Sequence, residues 1–289
     1  MHLLENNDWI IGIHTRGAEL MRIYNKISNT EYLWKGDPAF WGKHSPVLFP
    51  IVGTLKNNSF QYQGRTYQMG RHGFARDRVF EIETETVDAI CFKLTSDDET
   101  LAIYPFHFEL RIRYTLAFST LKVQYEVRNT GHEKMYFSIG GHPAFAIPLE
   151  NNIGYEDYYL EFEQPETIDR WPISSDSLIE NDPIPFMENQ QRVPLNRELF
   201  YRDALVFKGI RSRWVTLQSD KGSKGLRFTF EGFPFLGIWA ARDADFVCIE
   251  PWCGIADNVN SDQQLAGKEG ILSIEKGAEW ARSWEVRFF

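Results

Sequence analysis

The sequence predicts an all-β protein whose strands form a large antiparallel β-sandwich. Most of the chain consists of short runs in which apolar and polar residues alternate, separated by Gly, Asn, Asp and Pro. This is the pattern of strands and turns. The runs recur about every 8 to 15 residues, a spacing typical of sandwiches and barrels. No apolar stripe with a helical period continues for more than about two turns, so a helical architecture is disfavoured.

The individual strands follow from this alternation in chain order. Residues 60–67 form a first predicted hairpin, because Gln63 and Gly64 supply a tight turn between two alternating runs. Residues 108–118 and 121–128 form a second hairpin with longer strands, joined at residues 119–120. The remaining predicted strands lie at residues 134–139, 214–218, 226–230, 235–240, 246–250, 271–274 and 279–289.

Residues 150–202 interrupt the regular pattern. Five prolines break up this polar stretch, yet its content of Tyr, Phe and Leu is too high for a free linker. We therefore predict an excursion of loops and short strands that covers one face of the sandwich and its pocket. The whole chain, residues 1–289, is predicted to be a single domain, since β-sandwiches of this length occur as one domain.

Charge and hydropathy restrict the partners. The net charge of −9 and the pI near 5.4 argue against a nucleic-acid partner, which would require a basic face. No segment approaches the roughly 20 apolar residues of a membrane span. The first residues also lack the basic and apolar regions of a signal peptide. We therefore expect a cytoplasmic protein with no nucleic-acid or membrane partner.

The cysteines and histidines give no sign of a metal site. Cys91, Cys248 and Cys253 are an odd number, which fits reduced thiols better than a disulfide framework. The Cys248 and Cys253 pair has no second cluster beside it in the sequence, and the histidines show no short paired spacing. The sequence therefore predicts no metal.

A glycine-bounded carboxylate near the end of the chain is the strongest functional signal. Residues 248–254 read Cys-Ile-Glu-Pro-Trp-Cys-Gly, and residues 140–143 read Gly-Gly-His-Pro. If residues 246–250 form a strand, Glu250 shares a face with apolar neighbours, which disfavour its charged form and favour a general base near neutral pH. Glu250 and His142 thus suggest a base and an acid in one pocket. Each residue alone could instead be structural, at a strand end or in a turn.

A dense polar cluster occupies residues 71–78, Arg-His-Gly-Phe-Ala-Arg-Asp-Arg, after the first predicted hairpin. His72 could donate a hydrogen bond or carry a proton, while a neighbouring arginine holds an anion or a hydroxyl. The alternative is a solvated loop in which Arg76 pairs with Asp77. Gly73 favours the first interpretation, because a glycine allows the backbone to approach a ligand closely.

Two tryptophans, Trp239 and Trp252, flank the region of Glu250. Aromatic faces stack on the C–H surfaces of sugars, but both residues fit a role in the core equally well. They are candidates for the wall of a carbohydrate cleft.

Four motifs carry a family resemblance. They are Phe-Pro-Ile-Val-Gly at 49–53, Arg-His-Gly-Phe-Ala-Arg-Asp at 71–77, Gly-His-Pro-Ala-Phe at 141–145 and Cys-Ile-Glu-Pro-Trp at 248–252. Together they resemble the aldose 1-epimerase family, in particular the LacX-like branch of the galactose mutarotases, over essentially the whole chain. The resemblance implies a large antiparallel β-sandwich that interconverts the α and β anomers of aldoses without a cofactor.

The resemblance also implies catalytic roles. Glu250 is similar to the base that takes the proton of the anomeric hydroxyl, and His142 to the acid that protonates the ring oxygen. His72 resembles a second histidine, which binds the ring or a neighbouring hydroxyl. Ring opening of a hemiacetal removes one proton and delivers another on nearly opposite sides, so two residues distant in sequence must converge.

Other positions are implied to bind the sugar. Asp203 resembles, by its position, the family aspartate that binds sugar hydroxyls. Thr54 stands where better-studied mutarotases carry a sugar-binding arginine. We therefore expect Lys56, Arg71 or Arg76 to take over that contact.

The function expected from the sequence is an aldose 1-epimerase acting on a small-molecule hexose, as a monomer or homodimer. One alternative is a hexose-6-phosphate 1-epimerase, in which Arg71, Arg76 and Arg78 clamp the phosphate. Another is a non-catalytic carbohydrate-binding protein that uses Trp239 and Trp252 as a platform. A glycosidase is disfavoured, because a histidine is a poor substitute for the second carboxylate.

Overall fold

The computed structural model describes residues 1–289 and consists mainly of β-strands. Strand accounts for 49% of the residues and helix for 8%, so the predicted all-β class is confirmed. The strands are β1 (His2–Glu5), β2 (Trp9–His14), β3 (Glu19–Asn25), β4 (Thr30–Glu31), β5 (Val47–Leu48), β6 (Ser59–Tyr62), β7 (Arg65–Gln68), β8 (Glu81–Glu85), β9 (Ala89–Thr95), β10 (Phe108–Ala117), β11 (Thr120–Asn129), β12 (Met135–Phe137), β13 (Ile139–Gly141), β14 (Ala144–Ala146), β15 (Tyr158–Arg170), β16 (Ile184–Pro194), β17 (Leu205–Lys208), β18 (Trp214–Ser219), β19 (Leu226–Thr229), β20 (Phe235–Trp239), β21 (Phe246–Cys253), β22 (Leu272–Ile274) and β23 (Glu279–Phe288).

The helical segments are short. One α-helix, α1, spans Asp98–Ile103 and is capped by Asp97, whose side chain accepts a hydrogen bond from the Thr100 N–H in a capping box. Five 3-10 turns lie at Lys56–Asn58, Ala75–Asp77, Tyr155–Asp157, Arg197–Phe200 and Leu265–Gly267. None of these helices has the length and apolar character needed to cross a bilayer.

Antiparallel pairing joins the strands into one large and three smaller sheets. The large sheet has 15 strands in the order β5-β13-β21-β20-β17-β15-β18-β19-β23-β11-β10-β9-β8, with β14 also pairing with β21 and β16 with β15. The N-terminal strands β1 to β4 form a separate four-stranded sheet, and β6–β7 and β12–β22 form two-stranded sheets. The predicted large antiparallel sandwich is thus confirmed.

Both predicted hairpins form. In the β6–β7 hairpin, Gln63 and Gly64 adopt φ values of 48° and 74°, the mirror-image turn that matches the twist of the flanking strands. In the β10–β11 hairpin, every second side chain is buried along β10. Its turn falls at Phe118 and Ser119, one residue earlier than predicted, with Phe118 at φ 52°.

One hydrophobic cluster of 71 buried residues extends from Leu4 to Phe288 and fills the interior. A second cluster of eight buried residues includes Phe235 of β20 and Trp252 of β21. It also includes Val206 of β17 and Ile179, from the loop between β15 and β16. The second cluster therefore joins that loop to the sheet beside the site described below.

The segment 150–202 contains longer strands than predicted. β15 has 13 residues and β16 has 11, and β15 is an integral member of the large sheet. The prolines are accommodated because Pro165 lies at a shift in the β15–β16 register, and β16 is an edge strand, where unpaired N–H positions tolerate proline. The loop between these strands, residues 171–183, contributes side chains to the cavity below.

Candidate active site

Strand β21 forms the floor of the candidate site and is buried along its whole length. It lies between β20 on one side and β13 and β14 on the other. Gly140 pairs with Trp252 and Ala144 pairs with Cys248, so the same register places His142 directly opposite Glu250. The two side chains meet, with 3.4 Å between His142 Nε2 and Glu250 Oε2. Antiparallel cross-strand pairing thus brings together two residues far apart in the sequence.

Glycines on the neighbouring strands make room for the side chains of β21. Gly237 of β20 pairs with Glu250, and Gly140 of β13 pairs with Trp252. A Cβ atom at Gly140 would lie 2.7 Å from Cδ1 of the Trp252 indole, and one at Gly237 would overlap the six-membered ring of the same indole. The Trp252 indole therefore lies flat across two glycines, a close approach that any larger residue would prevent.

The loop after β7 delivers His72 to the same site. His72 is buried, and its backbone N–H donates to the Gly53 carbonyl over 2.8 Å. The backbone N–H of Gly53 donates in turn to the ring atom Nδ1 of His72 over 3.1 Å. His72 has a φ of 68°, a left-handed conformation that is uncommon outside glycine. Such strained backbone concentrates at functional sites, where the surrounding contacts hold it in place.

The hydrogen bonds of His72 define its tautomer. Because a backbone N–H can only donate, Nδ1 must accept, and the neutral ring carries its proton on Nε2. Burial lowers the pKa of His72 well below its ordinary value, so the ring is neutral. The Arg71 Nε–H points at Nε2 over 3.2 Å, but a neutral imidazole that accepts at Nδ1 cannot also accept at Nε2. In this tautomer both the Arg71 Nε–H and the His72 Nε2–H lack a protein acceptor, and a sugar oxygen is an acceptor of the kind they require.

Burial shifts the proton affinities of Glu250 and His142 in opposite directions. Removal from water raises the pKa of Glu250, although the charge of Arg71 opposes this shift, and it lowers the pKa of His142. Both groups therefore favour their neutral forms, and at neutral pH the pair holds one proton. A carboxyl group and an imidazole that share one proton can exchange acid and base roles along a reaction.

A cavity of about 500 Å³ opens above β21. Its volume falls in the range of small-molecule sites, and its walls combine aromatic faces with a few convergent polar groups. Eight of the nine catalytic and binding residues predicted from the sequence line this cavity: Arg71, His72, Arg76, His142, Asp203, Trp239, Glu250 and Trp252.

The arginines of the 71–78 cluster point in different directions. Arg76 lines the cavity, donates from Nη2 to the Arg71 carbonyl over 2.8 Å, and has its Nε 3.7 Å from Asp77 Oδ2. Arg76 therefore faces the cavity, as a ligand-binding arginine would, and also lies beside Asp77, as the solvated-loop interpretation predicted. Arg78 instead pairs with Glu99 at the start of α1, outside the cavity.

Asp203 also occupies a strained position at the cavity wall. Its φ of 138° is rare for a residue with a side chain, and its Oδ1 accepts the Ala204 N–H over 2.7 Å. The second carboxylate oxygen makes no hydrogen bond to the protein, so Asp203 offers a free acceptor to a ligand hydroxyl.

Lys56 is the one predicted binding residue that lies outside the cavity. Its N–H donates to Asp257 Oδ2 over 2.9 Å, and its Nζ donates to the Ser261 carbonyl over 3.2 Å. The turn at Gly53, with φ 73°, directs the chain away from the floor, so Lys56 lines a neighbouring polar depression together with Thr54. The expectation that Lys56 contacts the sugar is not supported by this position.

Sequence reasoning missed several cavity residues, above all Trp41. Its ring stacks on the His142 ring with 4.8 Å between centroids and 25° between planes. Trp41 lies in a loop without strand periodicity, and only its position in a segment rich in Gly and Pro marked it, since loops carry many functional residues. Ser177 and Arg202 also line the cavity and had no distinguishing pattern.

One cluster at the floor has the composition of a metal site. Ligand atoms of His142, Cys248 and Glu250 lie within 4.8 Å of one another. Zinc binds the thiolate and carboxylate forms, yet burial raises the pKa of both acids. These residues therefore fit a metal poorly, and the absence of a metal remains a prediction.

The raised pKa of Glu250 gives a first testable result. The folded protein binds this proton more tightly than the unfolded chain, so folding stability is lost as pH rises from the ordinary carboxyl value of 4.5 through the raised pKa. Glu250→Gln keeps the neutral shape, and we expect its thermal stability relative to wild type to increase from pH 5 to pH 9. Calorimetry at both pH values measures this difference. If the stability difference between Glu250→Gln and wild type is the same at pH 5 and at pH 9, the raised pKa of Glu250 is contradicted.

Known proteins share the sequence and the fold of this chain. Residues 2–286 match the aldose 1-epimerase family. The chain is 36% identical to the chromosomal LacX protein of Lactococcus lactis subsp. lactis over 280 residues, which cover 94% of this chain and 93% of LacX. It resembles the solved structure of a galactose mutarotase related enzyme from Lactobacillus acidophilus, with a TM-score of 0.96, 35% identity, and coverage of 100% of this chain and 97% of that chain. A galactose mutarotase-like protein from Lactobacillus casei ATCC 334 gives a TM-score of 0.94 at 30% identity, with both chains covered completely. The chain therefore belongs to the aldose 1-epimerase family.

Proposed function

We propose that this protein is an aldose 1-epimerase that interconverts the α and β anomers of a free hexose. The observation that carries the proposal is the buried pair of Glu250 and His142, which meet across adjoining strands with 3.4 Å between Oε2 and Nε2 on the floor of a cavity. Family membership supports the class of reaction.

The proposed reaction is a pair of proton transfers. Glu250 removes the proton of the C1 hydroxyl, the C1–O bond to the ring oxygen breaks as C1 becomes a carbonyl, and His142 delivers a proton to the departing ring oxygen. Rotation about C1–C2 presents the other carbonyl face, and closure reverses both transfers. No electrons leave or enter the sugar, so the reaction requires no redox cofactor.

The shared proton of the pair fits this sequence of steps. For ring opening, the proton must reside on His142 and Glu250 must be ionised. The positive charge of Arg71 stabilises the ionised carboxylate, and a bound sugar hydroxyl adds a hydrogen bond to it. Glu250 and His142 favour their neutral forms before the sugar binds. The charged forms of the pair therefore develop only when the sugar is bound, at the atoms that take part in the two proton transfers.

Substrate binding is proposed to use the polar residues on the cavity wall. His72 Nε2–H and Arg71 present two donors to one sugar oxygen, and the free oxygen of Asp203 accepts from a hydroxyl. Arg71 is the cavity residue proposed to replace the family arginine absent at Thr54. Trp239 offers a partly exposed aromatic surface to the sugar C–H groups.

Polarimetry on freshly dissolved α-glucose and α-galactose tests the proposal. We expect the protein to accelerate the approach to anomeric equilibrium, with saturation kinetics. Binding of these sugars without any acceleration would replace the proposal by the carbohydrate-binding alternative.

A hexose-6-phosphate epimerase is a second candidate, favoured by three guanidinium groups at the cavity. Arg71, Arg76 and Arg202 line it, and no carboxylate lies within 4.0 Å of Arg71 or Arg202. Arginine binds phosphate through paired hydrogen bonds. The contacts of Arg76 with Asp77 and with the Arg71 carbonyl reduce its availability, so we retain the free aldose as the first candidate.

The two candidates differ in the expected effect of Arg76→Ala. With a free aldose as substrate, glucose should exceed glucose 6-phosphate in kcat/KM, and Arg76→Ala should weaken binding only by about 1 kcal/mol, the typical value of one hydrogen bond. Arg78→Ala, on the same loop but outside the cavity, is the matched control and should leave kcat/KM unchanged. A large preference for glucose 6-phosphate that disappears in Arg76→Ala, but not in Arg78→Ala, would establish the phosphate substrate instead.

A further inference from the structure

The ring of His142 lacks the hydrogen bond that usually orients a catalytic histidine. Its Nε2 faces Glu250, but its Nδ1 is buried and forms no hydrogen bond of acceptable geometry with the protein. In most catalytic sites a carbonyl or carboxylate at the second nitrogen fixes the plane and tautomer of the imidazole. Other contacts must therefore hold the His142 ring in its orientation.

Aromatic side chains enclose the His142 ring instead. Trp41 stacks on one face at 4.8 Å, and Trp239 and His72 approach edge-on at 5.6 Å and 5.8 Å. Trp41 in turn packs against Phe246 at 5.6 Å and 29°. Stacking restricts rotation of an imidazole because tilting the ring would break the contact over the whole face.

The loop that carries Trp41 is hydrogen-bonded to β14, the strand that follows His142. The Trp34 N–H donates to the Ala144 carbonyl and the Ala144 N–H donates to the His44 carbonyl, both over 2.9 Å. The Trp34 indole N–H also donates to the Trp41 carbonyl over 2.8 Å. Both ends of the loop, residues 34–44, are thus bound to one residue of β14, and the loop closes over His142.

We propose that Trp41 is a positioning residue, whose stacked indole holds the His142 imidazole in the plane that directs Nε2 towards Glu250 and the substrate. This inference rests on the proposed epimerase function for its kinetic consequence, but the orientation of the ring is a property of the free protein. Trp41 also lines the cavity, so its test must separate positioning of His142 from direct contact with the sugar.

Kinetics of three variants make this separation. Trp41→Leu removes the aromatic face and should lower kcat by about 10- to 100-fold, the scale for a misplaced catalytic group, with KM changed by less than about threefold. Trp41→Phe retains a ring face and should recover most of kcat. Phe40→Leu, at the exposed neighbouring position outside the cavity, is the matched control and should behave as wild type. A raised KM with unchanged kcat in Trp41→Leu would overturn the proposal and make Trp41 a sugar platform.

Nitrogen-15 NMR of the His142 ring tests the orientation without substrate. The titratable and charged groups near this ring are Glu250, Cys248, His72, Arg71 and Arg76. In wild type, burial lowers the pKa of His142, and one tautomer is expected. In Trp41→Leu, water reaches the ring, so its pKa should rise towards 6.5 and the two tautomers should mix, while Phe40→Leu shows neither change.

The kinetic and NMR measurements separate failure of the positioning role from failure of the proposed epimerase function. An unchanged His142 titration and tautomer in a folded Trp41→Leu protein would overturn the positioning role, whatever the kinetics. Absence of anomerase activity in wild type would refute the proposed function, while the NMR result would still decide the orientation of the ring. If Trp41→Leu fails to fold by circular dichroism, Trp41→Met fills more of the same space without an aromatic face and provides the same comparison.

Discussion

Replacing Glu250 with glutamine is expected to reduce anomerase turnover by at least about 10²-fold while the protein remains folded, because glutamine preserves shape and removes the base. His142→Asn should cause a similar loss. Since both residues serve one proton-transfer step, the double variant should be little worse than either single variant. Initial rates by polarimetry, with the fold checked by circular dichroism, measure the effect.

The matched control for this result is Glu166→Gln. Glu166 is also a buried glutamate, bound by Ser212 through Oγ at 2.6 Å and N–H at 2.7 Å, but it lies outside the cavity. Its variant should retain turnover. Full activity in folded Glu250→Gln or His142→Asn would refute the catalytic roles.

The pH dependence should identify the same carboxyl group. The active form of the pair holds one proton, so the rate should fall at low pH, where a second proton binds and Glu250 cannot act as the base. The rate should also fall as pH rises through the raised pKa of Glu250, about 8, because the pair then has no proton to deliver to the ring oxygen. This high-pH limb should disappear in Glu250→Gln, which has no carboxyl proton to lose.

The largest stability effect is expected from Lys268→Met. Lys268 Nζ lies 2.6 Å from Asp257 Oδ1, and both side chains are only 3% exposed. Asp257 also accepts the Lys56 N–H and is bonded through its backbone to Thr54 and Ile179, so it joins the loops behind the cavity. Removing the lysine leaves a buried carboxylate without a positively charged partner, and we expect a loss of about 3–5 kcal/mol in the free energy of unfolding.

Chemical denaturation followed by tryptophan fluorescence measures this loss. Lys134→Met is the matched control, because Lys134 pairs with Glu275 at 3.2 Å on the surface, with side chains 43% and 74% exposed. We expect it to lose less than about 1 kcal/mol. Adding Asp257→Asn to Lys268→Met should restore part of the stability, since the uncompensated charge is removed. Equal effects of Lys268→Met and Lys134→Met would contradict a stabilising role for the buried pair.

The sequence alone determined the strand class and much of the floor of the site. Alternation of apolar and polar residues is a local property, so the β6–β7 and β10–β11 hairpins could be read from it. The same alternation placed Glu250 on the face of β21 that also carries Cys248, and this burial raises the pKa of Glu250. The resemblance of the motifs to the aldose 1-epimerase family then predicted which residues carry catalytic and sugar-binding roles.

Only the tertiary structure decided which residues face the cavity. The pairing of His142 with Glu250 depends on the register between distant strands, and a shift by one residue would have turned either side chain to the opposite face. Trp41 reaches His142 from a loop with no periodic pattern, and Lys56 turns away because the chain bends at Gly53. Periodicity reports the face of one strand, whereas the composition of a site depends on pairings and turns between segments far apart in the chain, and those are fixed only when the whole core packs.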